Sequence, residues 1–186
     1  MGLNLLFERI QGGATDGIET HGSKYYKKGF YYCRDLLKEV EGLIIDPFAR
    51  NCMWGDIRND IDPKIKTVQY NLESLVFMKK IKTSSAKLVL FDPPFSSSQS
   101  EKYEAGDTNL YCTGDGRIGK LCREVERILK PGGIMLKLGY NSSRPSKNFN
   151  LLKVYVVNFG GTRNDVLMTI WQKNTTTLDQ FMASKS

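Results

Sequence analysis

The sequence predicts an α/β protein: a mostly parallel sheet with helices on both faces and a C-terminal antiparallel β-hairpin. Three observations predict it. Short apolar runs that end in acids or prolines alternate with stretches of helical spacing. The clearest run, Lys87-Leu-Val-Leu-Phe, passes directly into Asp92-Pro-Pro, as a buried strand does at a turn. The chain then ends in two β-rich runs around a pair of glycines. Its 186 residues supply one sizeable core, not two ordinary domains.

Taken in order, the residues up to about Gly22 read as a loop, marked by Gly12, Gly13 and Gly17. Cys33, Leu36, Leu37 and Val40 fall at helical spacings, so a helix is expected to about Glu41 with Gly42 as its C-cap. Leu43-Ile-Ile-Asp-Pro-Phe reads as a strand, and Asp56–Asp62 carries a second one, stopped by Pro63. Too few positions separate Asp46 from Asp60 for a full crossover helix, so one or two helical turns are expected around Cys52–Asp56. Leu75–Ile81 is short and amphipathic, and the strand through Phe91 follows. Residues 96–119 are polar and rich in serine and glycine, which reads as a mobile loop. Leu121, Cys122, Val125, Ile128 and Leu129 share one face of a helix that Pro131-Gly132-Gly133 ends, and Ile134–Leu138 resumes as a strand. Asn150–Phe159 and Asp165–Lys173 form the hairpin. The domain is thus read as an N-terminal segment (1–42), a core (43–173) and a fraying polar tail (174–186).

Composition narrows the function. With 40% hydrophobic and 25% charged residues the chain has the balance of a soluble globular protein. No apolar run approaches the ~20 residues that span a bilayer, so a cytoplasmic location is expected, with no membrane partner. Lysine and arginine total 27 against 20 acids, a net charge of +7, which permits a polyanionic partner without requiring one. His21 is the sole histidine, and the four cysteines show no C-x-x-C spacing. No metal site is expected, and the cysteines read as reduced thiols.

Ligands of open α/β sheets bind outside the carboxyl ends of the strands. Three polar signals fall at such ends: Asp46-Pro-Phe-Ala-Arg-Asn, Asn59-Asp-Ile-Asp-Pro and Asp92-Pro-Pro-Phe. Each alone has a bland explanation, as a cap, a surface acid or a strand-ending turn. Their order on one predicted fold is what makes them a constellation.

The same residues resemble the class I, S-adenosylmethionine-dependent amino-methyltransferases that modify adenine N6 or cytosine N4. The D/N/S-P-P-Y/F tetrad of that class is matched by Asp92, Pro93, Pro94 and Phe95, the D-P-F opening of the cofactor loop by Asp46, Pro47 and Phe48, and the K-P-G-G turn by Lys130–Gly133. The similarity covers roughly Leu43–Lys173. More narrowly, the layout is similar to small adenine-methylase-like proteins of phages and prophages. The resemblance implies a Rossmann-like methyltransferase fold with a mostly parallel seven-stranded sheet. It also implies S-adenosyl-L-methionine as cofactor and DNA adenine N6 as the methyl acceptor. Alternatives are adenine in RNA, cytosine N4, a glutamine side-chain amide, or a non-catalytic nucleic-acid-binding subunit.

The chemistry of the tetrad agrees with that role. An exocyclic amino nitrogen is a poor nucleophile because its lone pair is delocalised into the ring. Hydrogen bonds from its two hydrogens to the Asp92 carboxylate and the Pro93 carbonyl would draw it towards tetrahedral geometry. Phe95 would stack on the base, a contact worth ~1–3 kcal/mol in single-stranded complexes.

For the cofactor, the resemblance places Asp46, Pro47, Phe48, Ala49 and Arg50 in the loop at its methionine end. Asp60 and Ile61 end the second strand, with Asp60 rather than Asp62 at the ribose hydroxyls. Glu73 and Ser74 would lie near the adenine, although Glu73 reads almost equally well as a solvated surface acid. Arg50 stands where the family has the first glycine of D-P-F-x-G-x-G, and either pairs with the cofactor carboxylate or obstructs the pocket. Trp54 either covers the cofactor or fills core left by the short crossover. Tyr25, Lys27 and Lys28, then Lys102 and Arg117, then Asn141, Arg144 and Lys147 are the nucleic-acid-binding candidates. A bare catalytic domain of this size is expected to draw target recognition from a homodimer or a partner subunit.

Overall fold

The computed structural model describes residues 9–11, 39–50, 52–94, 116–158 and 165–175. Their elements are β1 (Arg9–Gln11), β2 (Ile44–Asp46), β3 (Ile57–Arg58), α1 (Ser74–Lys80), β4 (Ala86–Phe91), α2 (Arg117–Ile128), β5 (Leu129–Gly139), β6 (Phe149–Asn158) and β7 (Val166–Lys173). One seven-stranded sheet runs in the order β1-β6-β7-β5-β4-β2-β3. β2, β3, β4 and β5 pair in parallel, as do β1 and β6, while β7 runs antiparallel to both β5 and β6. The sheet is therefore mixed, and its C-terminal hairpin strands lie inside it.

The expected loop near the N-terminus contains a strand, β1, that covers the outer edge of β6. Three residues, Arg9-Ile10-Gln11, are too short to show a period of two; an open neighbouring edge decides their conformation. The helix expected up to Glu41 lies outside the described residues except at its end, where Glu39 is helical.

β4 lies inside the sheet between β5 and β2 and is buried on both faces. Val89 and Phe91 join one core with Phe77 and Met78 of α1 and Leu121, Val125 and Ile128 of α2. Leu88 and Leu90 join the other core with Leu136, Leu138, Met168 and Ile170. Helices on both faces were expected, but among the described residues α1 and α2 pack on one face. Trp54, Val40 and Cys52 meet the other. Trp54 thus fills core beside the short β2–β3 connection. Arg127 joins the two helices: its guanidinium donates to the Met78 carbonyl (2.8 Å) and the Ile81 carbonyl (2.9 Å) while pairing with Glu124.

Two turns depart from expectation. The connection from β2 to β3 holds no helical turn among its described residues. It is clamped back on β2 instead, with the Asp56 N–H donating to the Ile44 carbonyl (2.9 Å) and the Ile44 N–H to Asp56 Oδ2 (2.8 Å). Gly55 lets this backbone pass so close that a Cβ there would stand 2.8 Å from Asp46 Cβ. The Lys130–Gly133 turn lies inside β5 as an irregularity: Ala86 pairs with Leu129 and Leu88 with Ile134. Gly132, at φ 71°, supplies the left-handed residue this needs.

Candidate active site

Three carboxylates converge at the carboxyl ends of β2, β3 and β4. Asp46 ends β2, Asp92 follows β4, and Asp60 lies just beyond β3. Asp46 is 2% and Asp60 5% exposed. Burial pushes Asp46 up to about 8, and the charges of Asp92 and Asp60 add to the rise against hydrogen bonds from Phe48 N–H and the Cys52 thiol. Burial lifts Asp92 to about 7, and burial also raises Asp60. The Cys52 thiol, buried beside Asp46, is driven far above the usual thiol range by burial first and by the Asp46 charge next.

Local sequence explains how the loop is held. The Phe48 N–H donates to Asp46 Oδ1 (3.1 Å), an Asx turn that bends the chain out of β2. Asp60 takes the Arg50 N–H on Oδ2 and the Asp62 N–H on Oδ1, both at 2.9 Å. Arg50 itself has φ 45°, the left-handed conformation a glycine adopts freely. Its guanidinium points to Asp62 at 3.4 Å.

Asn59 was not expected among the site residues, yet it ties the site together. It is fully buried. Its Nδ2 donates to the Pro47 carbonyl (3.1 Å) and the Leu72 carbonyl (2.9 Å), and its Oδ1 accepts the Leu72 N–H (3.0 Å). One side chain thus fastens the loop after β2 to the segment before α1. The available signal was an asparagine at the strand end, directly before the acid.

Two cavities open at this end of the sheet. The smaller, of about 50 Å³, is lined by Pro47, Phe48, Arg50, Asp60, Ile61 and Ser74 with Asn59, Leu72, Asp92 and Pro94. The larger, of about 290 Å³, is lined by Phe91, Pro93 and Pro94 with Ile118 of α2 and the end of β5 from Lys137 to Asn141 and Ser143. Pro94 belongs to both, so the Asp92-Pro93-Pro94 turn is their shared wall.

Other candidates are placed differently. Glu73 caps α1, its carboxylate accepting the Val76 N–H at 2.8 Å, and lines neither cavity. Ala49 is buried beneath the loop and donates its N–H to the Asn59 carbonyl. Arg144 directs its guanidinium to the Phe149 and Lys147 carbonyls of its own turn (both 2.8 Å). Lys147 is exposed, and Arg117 begins α2. Asn141 lines the larger cavity, beside Lys137, a residue the sequence reading passed over. Its signal was a single lysine inside the apolar run Ile134–Leu138. Phe95, Tyr25, Lys27, Lys28 and Lys102 lie outside the described residues.

Neither family models nor curated proteins yield a match to this sequence. Solved structures do match, at low identity. The chain is similar to yhhF of Escherichia coli, which carries a methyltransferase assignment, at TM-score 0.55 and 13% identity over 91% of this chain and 99% of that one. It is similar to TrmN from Thermus thermophilus at TM-score 0.52 and 15% identity, covering 76% of this chain and 47% of the other. A rRNA methylase from Streptococcus thermophilus matches at TM-score 0.50 and 10% identity, over 78% and 96% of the two chains. The chain has the Rossmann-like fold of methyltransferases. Among the described residues, no helix of this fold is long and apolar enough to cross a membrane.

The acids make a pH prediction. Asp46 and Asp92 hold protons more tightly folded than unfolded, because their pKa values rise from 3.8 to about 8 and about 7. Their contribution to stability is therefore complete near pH 4 and is lost as pH rises towards 8. The expected result is that Asp46→Asn gains melting temperature relative to the parent chain as pH increases across that window. A difference that stays constant with pH would contradict it.

Proposed function

We propose that the chain is an S-adenosylmethionine-dependent methyltransferase acting on an exocyclic amino group of a nucleic-acid base, adenine N6 in DNA. The observation that carries this reading is the shared wall: the Asp92-Pro93-Pro94 turn separates the two cavities and borders both. A methyl donor on one side and an amino acceptor on the other would meet at that turn.

The smaller cavity suits the donor by chemistry. Asp60 and Asp92 line it and the buried Asp46 lies within reach of both charges, a grouping that is costly without a cation, and the donor would supply a positively charged methyl sulfonium. Asp60 would accept the ribose hydroxyls, while Asp46 and Phe48 would border the methionine end. The enclosed space is tight, and Arg50 narrows it. At the turn, Asp92, which lines the smaller cavity, and Pro93, which lines the larger, would offer a carboxylate and a carbonyl to the two hydrogens of the amino group. S-adenosylmethionine, when bound, would supply the methyl group, its sulfur keeping the carbon–sulfur pair as the nitrogen lone pair bonds the methyl carbon. The nitrogen then sheds one proton, for which Asp92, held near neutrality by burial, is a suitable acceptor.

Arg50 offers a test of the donor side. A non-glycine residue in the left-handed conformation costs about 1–2 kcal/mol, whereas its partly exposed pair with Asp62 contributes about 0–1 kcal/mol. Arg50→Gly is expected to retain stability and to tighten S-adenosylmethionine binding in calorimetry. Loss of binding would instead make Arg50 the partner of the cofactor carboxylate.

A second reading, adenine in RNA, is favoured by the fold shared with the rRNA methylase. Mass spectrometry of nucleosides after incubation with S-adenosylmethionine separates the two. N6-methyldeoxyadenosine from unmethylated DNA is expected; methylation confined to RNA would transfer the assignment. Absence of S-adenosylmethionine binding at millimolar concentration would end both.

A further inference from the structure

Lys137 lies within β5, is only 6% exposed, and borders the larger cavity. Its Nζ donates to Asn141 Oδ1 (3.2 Å), the Ser143 carbonyl (3.0 Å) and Ser143 Oγ (3.0 Å). Asn141 Oδ1 also accepts the Ser143 N–H (3.2 Å) and the Ser143 hydroxyl (2.6 Å). An ammonium and a backbone N–H can only donate, so the side of the Asn141 amide that faces them must be its oxygen. The edge that Asn141 has left to offer the cavity is its NH2 group.

We propose that Lys137 is a positioning residue that fixes Asn141 as a donor, so that the cavity selects a base with a ring-nitrogen acceptor beside the amino group to be methylated. The inference rests on the proposed function for the identity of the occupant as adenine. An asparagine that reads adenine in a groove does so with both ends of its amide, the oxygen taking the N6 amino group and the NH2 giving to N7. Here the oxygen is held by Lys137 and Ser143, so Asn141 does not compete for the amino group. Asp92 and the Pro93 carbonyl keep both of its hydrogens, and Asn141 bonds N1 or N7. The division of labour follows from the lysine: without it the amide is free to turn its oxygen to the base and draw the amino group away from the donor.

The test is binding of 2′-deoxyadenosine and its 1-deaza and 7-deaza analogues to the full chain, followed by the side-chain amide resonance of Asn141. The parent chain is expected to show a shifted Asn141 amide with deoxyadenosine and about tenfold weaker binding of one deaza analogue, the factor typical of one hydrogen bond to a buried group. Asn141→Ala, a change at an exposed residue, is expected to bind all three alike. Lys137→Met is expected to lose the same discrimination and Lys137→Arg to recover part of it. The inference is overturned if the Asn141 amide does not move. It is equally overturned if the parent binds all three alike, or if Asn141→Ala still discriminates. Discrimination without methyl transfer would sink the proposed function and leave the inference standing; transfer without discrimination would do the reverse.

Discussion

Asp92→Ala is expected to abolish methyl transfer while making the ligand-free protein more stable at pH 8. The two effects have separate causes. In transfer, the carboxylate would orient the amino group and favour the charge that develops on it, and loss of one such preorganised contact costs about 10²–10³ in rate. In stability, the same carboxylate is a burden. Burial raises its pKa from 3.8 to about 7, so at pH 8 the folded chain carries an ionised acid that the unfolded chain solvates better. Its removal also relieves Asp46, whose pKa the Asp92 charge helps to raise. Cofactor affinity is expected to fall much less than the rate, because Asp46 and Asp60 remain. Single-turnover transfer, calorimetry with S-adenosylmethionine and thermal melts at pH 8 provide the three readouts. Undiminished transfer would remove the tetrad from the mechanism, and a lower melting temperature would show that the Asp92 charge is compensated in the fold.

Asn59→Leu is expected to have the largest effect on stability. The substitution strips the buried Pro47 carbonyl and the half-buried Leu72 carbonyl and N–H of their partner at once. Each unpaired buried group costs about 1–3 kcal/mol, so the total reaches about 3–5 kcal/mol even after partial rearrangement. A domain of ordinary stability has about 5–15 kcal/mol in all. Cofactor binding is expected to disappear before the fold does, since Pro47 and Leu72 both border the smaller cavity. Denaturant titration measures the first and calorimetry the second. A loss below about 1 kcal/mol would mean that the loop and the segment before α1 are held by other contacts.

These two residues also show how far the chain could be read unaided. Asp92 was legible because two prolines and a buried apolar strand frame it, a pattern with few structural explanations. Asn59 was not, because its three partners are backbone groups of Pro47 and Leu72, which lie 12 and 13 positions away. No local pattern records which distant carbonyl a side chain will meet. Lys137 was overlooked for a related reason: a lysine in an apolar run reads as a flaw until Asn141 and Ser143 are seen to surround its ammonium. Glu73 reads as a cofactor contact or almost equally as a solvated surface acid; a glutamate directly before a helix can also satisfy that helix's own N–H groups, and it does so here.

The sequence by itself determined the order of the elements from β2 onward, the buried strand that ends at Asp92-Pro93-Pro94 and the short β2–β3 connection. These follow from apolar periodicity and turn chemistry, which act over a few residues. Only the tertiary structure decided that β1 covers the sheet edge, that both described helices share one face, and that the β2–β3 connection is a clamped loop. It also decided that the Asp92 turn stands between two cavities. Each of those outcomes depends on edges, carbonyls and volumes contributed by distant parts of the chain, and burial, rather than residue type, raises the pKa of three ordinary aspartates.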